Sequence, residues 1–155
     1  MIKPEIVPAA QLDLPAIRDL TRRAYGENVP MGFRFVAVRQ TMNGLLRDWR
    51  QGILWKALLD GALAGTIRLT PRPQGWLYVN RLCVDPPLQG RGLGARLMAF
   101  AEGEARRRGL LSVRLDTAMG FAPLVDWYRR QGYVIVSAAK YTDVPHFSVI
   151  LEKRI

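Results

Sequence analysis

The chain holds one cysteine, Cys83, and one histidine, His146, among 155 residues. A lone cysteine excludes an internal disulfide and is ordinary for a reducing compartment. One cysteine and one histidine also argue against zinc ligation, which draws mainly on those two residue types, so a metal-free protein is expected. No segment approaches the ~18 uninterrupted apolar residues of a membrane helix, and no membrane partner is expected. The opening segment, MIKPEIVPAAQLDLP, sets Pro4, Glu5 and Pro8 where an export signal needs a plain apolar run, which predicts a cytoplasmic chain. No GxxxxGK[ST] occurs, excluding a P-loop nucleotidase. Lysine is scarce as well: four lysines stand beside 19 arginines, and the net charge is +10. Such a surface attracts anions generally. The arginines are scattered, with a run only at Arg106, Arg107 and Arg108, so compositional bias and a preference for anionic partners both stay open. Neither a recognition helix nor an interleaved basic-aromatic patch is visible, so no specific nucleic acid is expected.

What is present is enough for one domain over residues 1–155. Apolar residues at Leu12, Ala16, Ile17, Leu20 and Ala24 fit a helical stripe, and a second helix is expected within 35–49. Residues 53–59 and 62–70 read as antiparallel strands joined by an Asp60-Gly61 turn, and 76–84 as a third strand. A helix to about Arg108, capped by Gly109, leads to a strand at 111–116. A helix at 121–131, stopped by Gly132, precedes two closing strands at 133–140 and 146–151. This order predicts an α/β (α+β) fold: a mixed sheet with helices on both faces, in which strands 79–84 and 111–116 run parallel across the crossover.

The most specific stretch is VNRLCVDPPLQGRGLGA, residues 79–95. A β-prone run ends at Val84, a Pro-Pro loop follows, and Gly90, Gly92 and Gly94 open a helix. Amides at a helix start have no intrahelical acceptor and suit phosphate groups, and glycines let the backbone approach the anion. Gly90, Gly92 and Ala95 also satisfy the dinucleotide pattern G-x-G-x-x-A, with Asp116 downstream as its acidic partner. Against an NAD(P)-dependent oxidoreductase, five residues separate strand and glycines, and too little chain follows Asp116 for the remaining βαβ units.

V-x-P-x-x-Q-G-x-G-x-G-A resembles the cofactor loop of the GCN5-related N-acetyltransferases, whose pattern Q/R-x-x-G-x-G/A is met by Gln89, Gly92 and Gly94. The segment Trp127-Tyr128-Arg129-Arg130-Gln131-Gly132-Tyr133 is similar to the family's later aromatic-Tyr-x-x-x-Gly-aromatic signature. The resemblance covers about two-thirds of the chain, from Ile53 onward. It implies a mostly antiparallel sheet whose fourth and fifth strands, its central parallel pair, splay apart to admit acetyl-CoA as cosubstrate. Leu82, Cys83 and Val84 would bond the pantetheine arm, and Gln89, Gly90, Arg91, Gly92, Leu93, Gly94 and Ala95 the pyrophosphate. Arg91 and Arg96 are candidates for phosphate oxygens or are simply solvated.

The resemblance further implies direct attack by an amine in a ternary complex, with a strand-four N–H at the carbonyl oxygen. Tyr128 would serve the departing thiolate, although Phe121, Leu124, Val125 and Tyr128 share a helical face and the tyrosine could be core. Cys83, on a buried strand without a histidine beside it, reads as inert rather than nucleophilic. The family's cofactor-contacting asparagine has no counterpart in 121–127, so that contact is either lost or made by Asp116 or Thr117. The base is not determined: Asn80 holding a water, Glu27, Asp116 and His146 are the options. Tyr25, Phe33, Phe35 and Trp49 form either an acceptor pocket or core, within the acceptor-flanking segments 25–50 and 141–147. The acceptor is a small-molecule or peptide amine, and a homodimer is left open. A non-catalytic acyl-CoA or nucleic-acid-binding module is the remaining alternative.

Overall fold

The computed structural model describes residues 3–26, 40–140 and 147–155. Seven strands form one sheet in the order β1-β2-β3-β4-β5-β7-β6. They are β1 (Glu5–Pro8), β2 (Leu54–Leu59), β3 (Ala62–Pro71), β4 (Trp76–Val84), β5 (Ser112–Ala118), β6 (Val134–Lys140) and β7 (Phe147–Arg154). All neighbours are antiparallel except β4 and β5. The helices are α1 (Leu14–Gly26), α2 (Met42–Arg50), α3 (Leu93–Arg107) and α4 (Ala122–Arg130). No helix among the described residues is long and apolar enough to cross a membrane.

The expected turns and caps form as the chemistry requires. Asp60 (φ 51°) and Gly61 (φ 80°) both take the left-handed conformation that a tight β2–β3 hairpin needs. Thr41 caps α2 by accepting the Gly44 amide at 3.1 Å. One element was not foreseen. β1 pairs with β2 from Glu5↔Leu58 to Pro8↔Trp55. Four residues ending in proline carry almost no periodic signal, and only the free edge of β2 makes a strand of them. The α1 stripe also shifts. Leu12 lies in a 3-10 turn, 94% exposed, and the buried set is Leu14, Ile17, Leu20 and Thr21.

Alternation along β2 assigns the two faces, because successive side chains of a strand point oppositely. Trp55 packs on Phe100 of α3, with ring centroids 5.0 Å apart. Its neighbour Leu54 joins Leu14 and Ile17 of α1 and Leu45 of α2. Helices therefore cover both faces: α1 and α2 on one, α3 and α4 on the other. The larger core lies under α3, where Leu97, Met98, Ala101 and Ala105 are fully buried against Ile67, Leu77, Val79 and Val113. Each such large side chain contributes about 1.5–3 kcal/mol by leaving water.

Two features of β4 create the site. β4 pairs with β5 only from Trp76↔Ser112 to Tyr78↔Arg114, after which the strands part. Toward β3 the register breaks between Thr66↔Cys83 and Arg68↔Asn80, setting Arg81 and Leu82 opposite Ile67 alone. This is a β-bulge, and Arg81 at its turn has φ 55°. An L-residue in that conformation costs about 1–2 kcal/mol. The bulge bends β4 as it leaves β5. Gly65 accommodates the bend: a Cβ there would lie 2.8 Å from the Cys83 carbonyl oxygen.

Candidate functional site

Where β4 leaves β5, a cleft of about 440 Å³ opens. Leu82, Cys83 and Val84 form one wall, residues 88–90 and 92–95 the floor, and Leu124, Trp127 and Tyr128 of α4 the far wall. The cleft brings together nine of the ten residues expected to hold the cofactor; Arg91 is exposed beside it. Tyr128 joins them from far along the chain: Gly94 of α3 meets Trp127 of α4, and the Tyr128 ring closes the cleft.

Local chemistry builds the glycine turn. Asp85 anchors it, donating its amide to Ala64 at 2.8 Å and accepting Arg23 of α1 at 3.1 Å. Pro86–Leu88 forms a 3-10 turn, and Gln89 folds back to donate to the Val84 carbonyl at 3.1 Å. Gly90 (φ 80°) and Gly92 (φ 83°) are left-handed, with nothing within 4 Å of a Cβ, so their requirement is conformational rather than steric. Arg96 donates to Gly92 at 3.1 Å. The amides of Leu93, Gly94 and Ala95 thus precede the helical hydrogen bonding and open the anion-favouring end of α3.

Gly94 lines the cleft and has a packing role as well. A Cβ on it would lie 3.2 Å from the Trp127 ring, so its lack of a side chain lets α4 pack on α3. Trp127 is the missed residue here. Arg130, on the cleft wall, is another; an arginine in an arginine-rich helix carries no distinguishing pattern.

At the splayed end, Tyr25 of α1 donates to the Leu82 carbonyl at 2.5 Å. Tyr25 therefore belongs to the cleft, while Trp49 packs on the α1–α2 core. Tyr128 is both wall and core: its ring meets Tyr133 edge-on at 6.0 Å. Burial first, then the nearby Asp116 carboxylate, push the Tyr128 hydroxyl well above the ordinary phenol range. Burial likewise raises Tyr25, reinforced by Cys83 and Tyr128. These groups keep their protons, as a donor to a departing anion must.

Among the described residues, the Cys83 thiol has two threonine hydroxyls as its hydrogen-bond partners. Sγ lies 3.1 Å from Thr66 Oγ1 and 3.9 Å from Thr21 Oγ1, and burial raises its pKa. That environment suits an inert thiol. Among the options for a base, Asn80 accepts Arg68 Nε on its Oδ1 at 2.8 Å, and Arg68 in turn donates to Asp48 at 2.9 Å. Asp116 accepts the Tyr78 hydroxyl. Glu27, Phe33, Phe35 and His146 lie outside the described residues.

A dinucleotide reading of Gly90, Gly92 and Ala95 does not survive this geometry. The sheet has one parallel pair, not a doubly wound set, and Asp116 is engaged by Tyr78. Much of the arginine excess is structural: Arg22 donates to the Gln40 carbonyl, Arg107 and Arg108 bind Glu104, and Arg114 pairs with Glu152 over Trp76.

Comparison with known proteins gives a consistent result. S-(2-succino)cysteine N-acetyltransferase of Bacillus subtilis is 28% identical over 99% of this chain and 98% of its own length. The PaiA N-acetyltransferase of Thermoplasma acidophilum, solved in complex with coenzyme A, superposes with a TM-score of 0.83 at 17% identity, covering 99% of this chain and 100% of that one. A Salmonella typhimurium structure, solved with its cofactor acetyl-CoA, has a TM-score of 0.76 at 17% identity, covering 98% and 94%. The sequence model of the acetyltransferase (GNAT) family matches residues 14–133. With most of its length matched to that model and its sheet splayed at β4, the chain belongs to the GNAT family of acetyltransferases.

Proposed function

We propose that this chain transfers the acetyl group of acetyl-CoA to an amine, which attacks directly in a ternary complex. One observation carries this: a continuous cleft joins the glycine turn at Gln89–Ala95 to Tyr128, along a strand whose partner has parted from it. The two left-handed glycines and the unbonded start of α3 fit a pyrophosphate. Leu82, Cys83 and Val84 offer backbone groups to an extended arm, as an added strand would use them. Acetyl-CoA supplies an activated thioester, whose acetyl carbon passes to the amine as the thiolate departs.

Tyr128 holds a proton beside the departing thiolate. Its ordinary phenol pKa of about 10 lies above a thiol's ~8.5, and burial widens that gap. Hydrogen-bond stabilisation of the thiolate is therefore its role, rather than full proton transfer. Tyr25, by holding the Leu82 carbonyl, fixes the backbone at the reacting end. The protein acts as one domain over residues 1–155, without a metal.

A small-molecule amine of the amino-acid class is the favoured acceptor, supported by the end-to-end similarity to the S-(2-succino)cysteine enzyme. The decisive assay follows thiol release from acetyl-CoA over a panel of amines that includes S-(2-succino)cysteine. Saturable acetyl-CoA binding, with none of NAD(P)H, is expected by calorimetry. A crystal soaked with acetyl-CoA that left the turn at Gly90 and Gly92 empty would end this assignment.

A further inference from the structure

Arg81 stands at the β4 bulge, half-buried, immediately before the residues that wall the donor cleft. Among the described residues it makes no hydrogen bond or ion pair. Its electrostatic neighbours are Arg68, Tyr25, Asp48 and Cys83, which place its guanidinium on the α1–α2 side of the sheet. Arg68 already uses Nε on Asn80 and Nη1 on Asp48. Two guanidinium groups thus share one carboxylate, and that carboxylate is committed to the other arginine. Burial and Arg68 both work against the charge on Arg81.

A half-buried cation without a partner is costly unless something pairs with it. Here the chain also accepts a left-handed φ of 55° at this residue, where glycine or asparagine would sit with less strain. Both penalties fall on the residue that directly precedes Leu82, the first cleft residue of β4. The planar fork of arginine matches a carboxylate with two parallel hydrogen bonds, which a lysine cannot reproduce.

We propose that Arg81 is the clamp for a carboxylate carried by the acceptor amine, making the acceptor an amino acid or a related amino carboxylate. The proposal rests on acetyl transfer being the activity and adds the residue that recognises the acceptor's acid group. Arg81 binds the acid group next to the amine, while Arg68, fixed by Asp48 and Asn80, keeps the surroundings positive without competing for it.

The test pairs acceptors that differ only in that acid group: glutamate, methionine and S-carboxymethylcysteine against their α-carboxamides, followed by thiol release. The free acids are expected to be used about 10- to 100-fold better in kcat/KM, the span of a charge-assisted pair. Arg81→Gln should slow the acids by about that factor more than the amides, through acceptor KM rather than the KM for acetyl-CoA. Arg81→Lys should recover part of the difference. Arg81→Gly relieves the left-handed backbone, so it should unfold no lower than the parent while losing the acid preference, which a purely structural role would not produce. Equal use of acids and amides, or equal slowing of both by Arg81→Gln, overturns the clamp. If no member of the panel is acetylated, sodium succinate is titrated calorimetrically into the coenzyme A-bound protein. Saturable binding lost in Arg81→Gln supports the clamp, and binding that is absent or unchanged overturns it. Failure of acetyl-CoA itself to bind would strike the transferase assignment instead.

Discussion

Gly94 of α3 and Trp127 of α4 meet so closely that a Cβ on the glycine would lie 3.2 Å from the indole ring. That contact sets where α4 rests, and so where Tyr128, the next residue, faces the cleft. One glycine thereby connects the glycine turn to the far wall of the cleft.

Replacing Gly94 should therefore damage both packing and binding. Gly94→Val is expected to cost about 1–3 kcal/mol by overpacking and to weaken acetyl-CoA affinity, read by urea unfolding and calorimetry. Adding Trp127→Leu should restore part of the stability by making room. If the double variant is no better than the single one, the contact is not what Gly94 serves.

Tyr128→Phe removes only the hydroxyl. The ring contacts with Trp127 and Tyr133 remain, so the fold and acetyl-CoA affinity should hold while kcat falls about 10- to 100-fold, the span of one hydrogen bond to a charged group. An unchanged kcat across pH would remove Tyr128 from the mechanism.

Alkaline pH should destabilise the fold in a defined window. Tyr25, Tyr128 and Tyr133 are all pushed above the phenol range, each mainly by burial, Tyr133 also by Glu102. Above pH ~10 the unfolded chain loses these protons while the folded one keeps them. Stability is thus complete below that pH and falls beyond it, by about 1.4 kcal/mol per pH unit for each tyrosine. Urea midpoints measured from pH 8 to 11 should be level and then drop; a flat profile throughout contradicts the buried-neutral assignment.

Cys83 should be chemically quiet. With its thiol between Thr66 and Thr21 and its pKa raised, reaction with a disulfide reagent should be slow until the protein unfolds. Cys83→Ala is expected to retain kcat within a few-fold; loss of turnover without loss of folding would point to a covalent role.

Local signals made much of the site readable in advance. The Asp60-Gly61 turn, the Pro-Pro exit after Val84 and the run Gln89-Gly90-Arg91-Gly92 each depend on short-range backbone preferences, so composition and spacing suffice. Tyr128 was recognisable from its spacing to Gly132. Other features depend on partners distant in the chain. β1 exists because β2 offers an edge, Gly94 is glycine because of Trp127, and Asn80 is occupied because α2 brings Asp48 to Arg68. No local pattern encodes such pairings.

The sequence by itself determined the family, the glycine turn and the order of the helices and of every strand but β1, since these follow from residue types at short, regular spacing. Only the tertiary structure decided that β4 bulges at Arg81 and parts from β5 after Tyr78. It alone set Tyr25 on the Leu82 carbonyl and left Arg81 without a carboxylate among the described residues. Those outcomes reflect a balance of packing, strain and charge across the whole sheet, in which each residue's role depends on neighbours that the linear chain does not bring together.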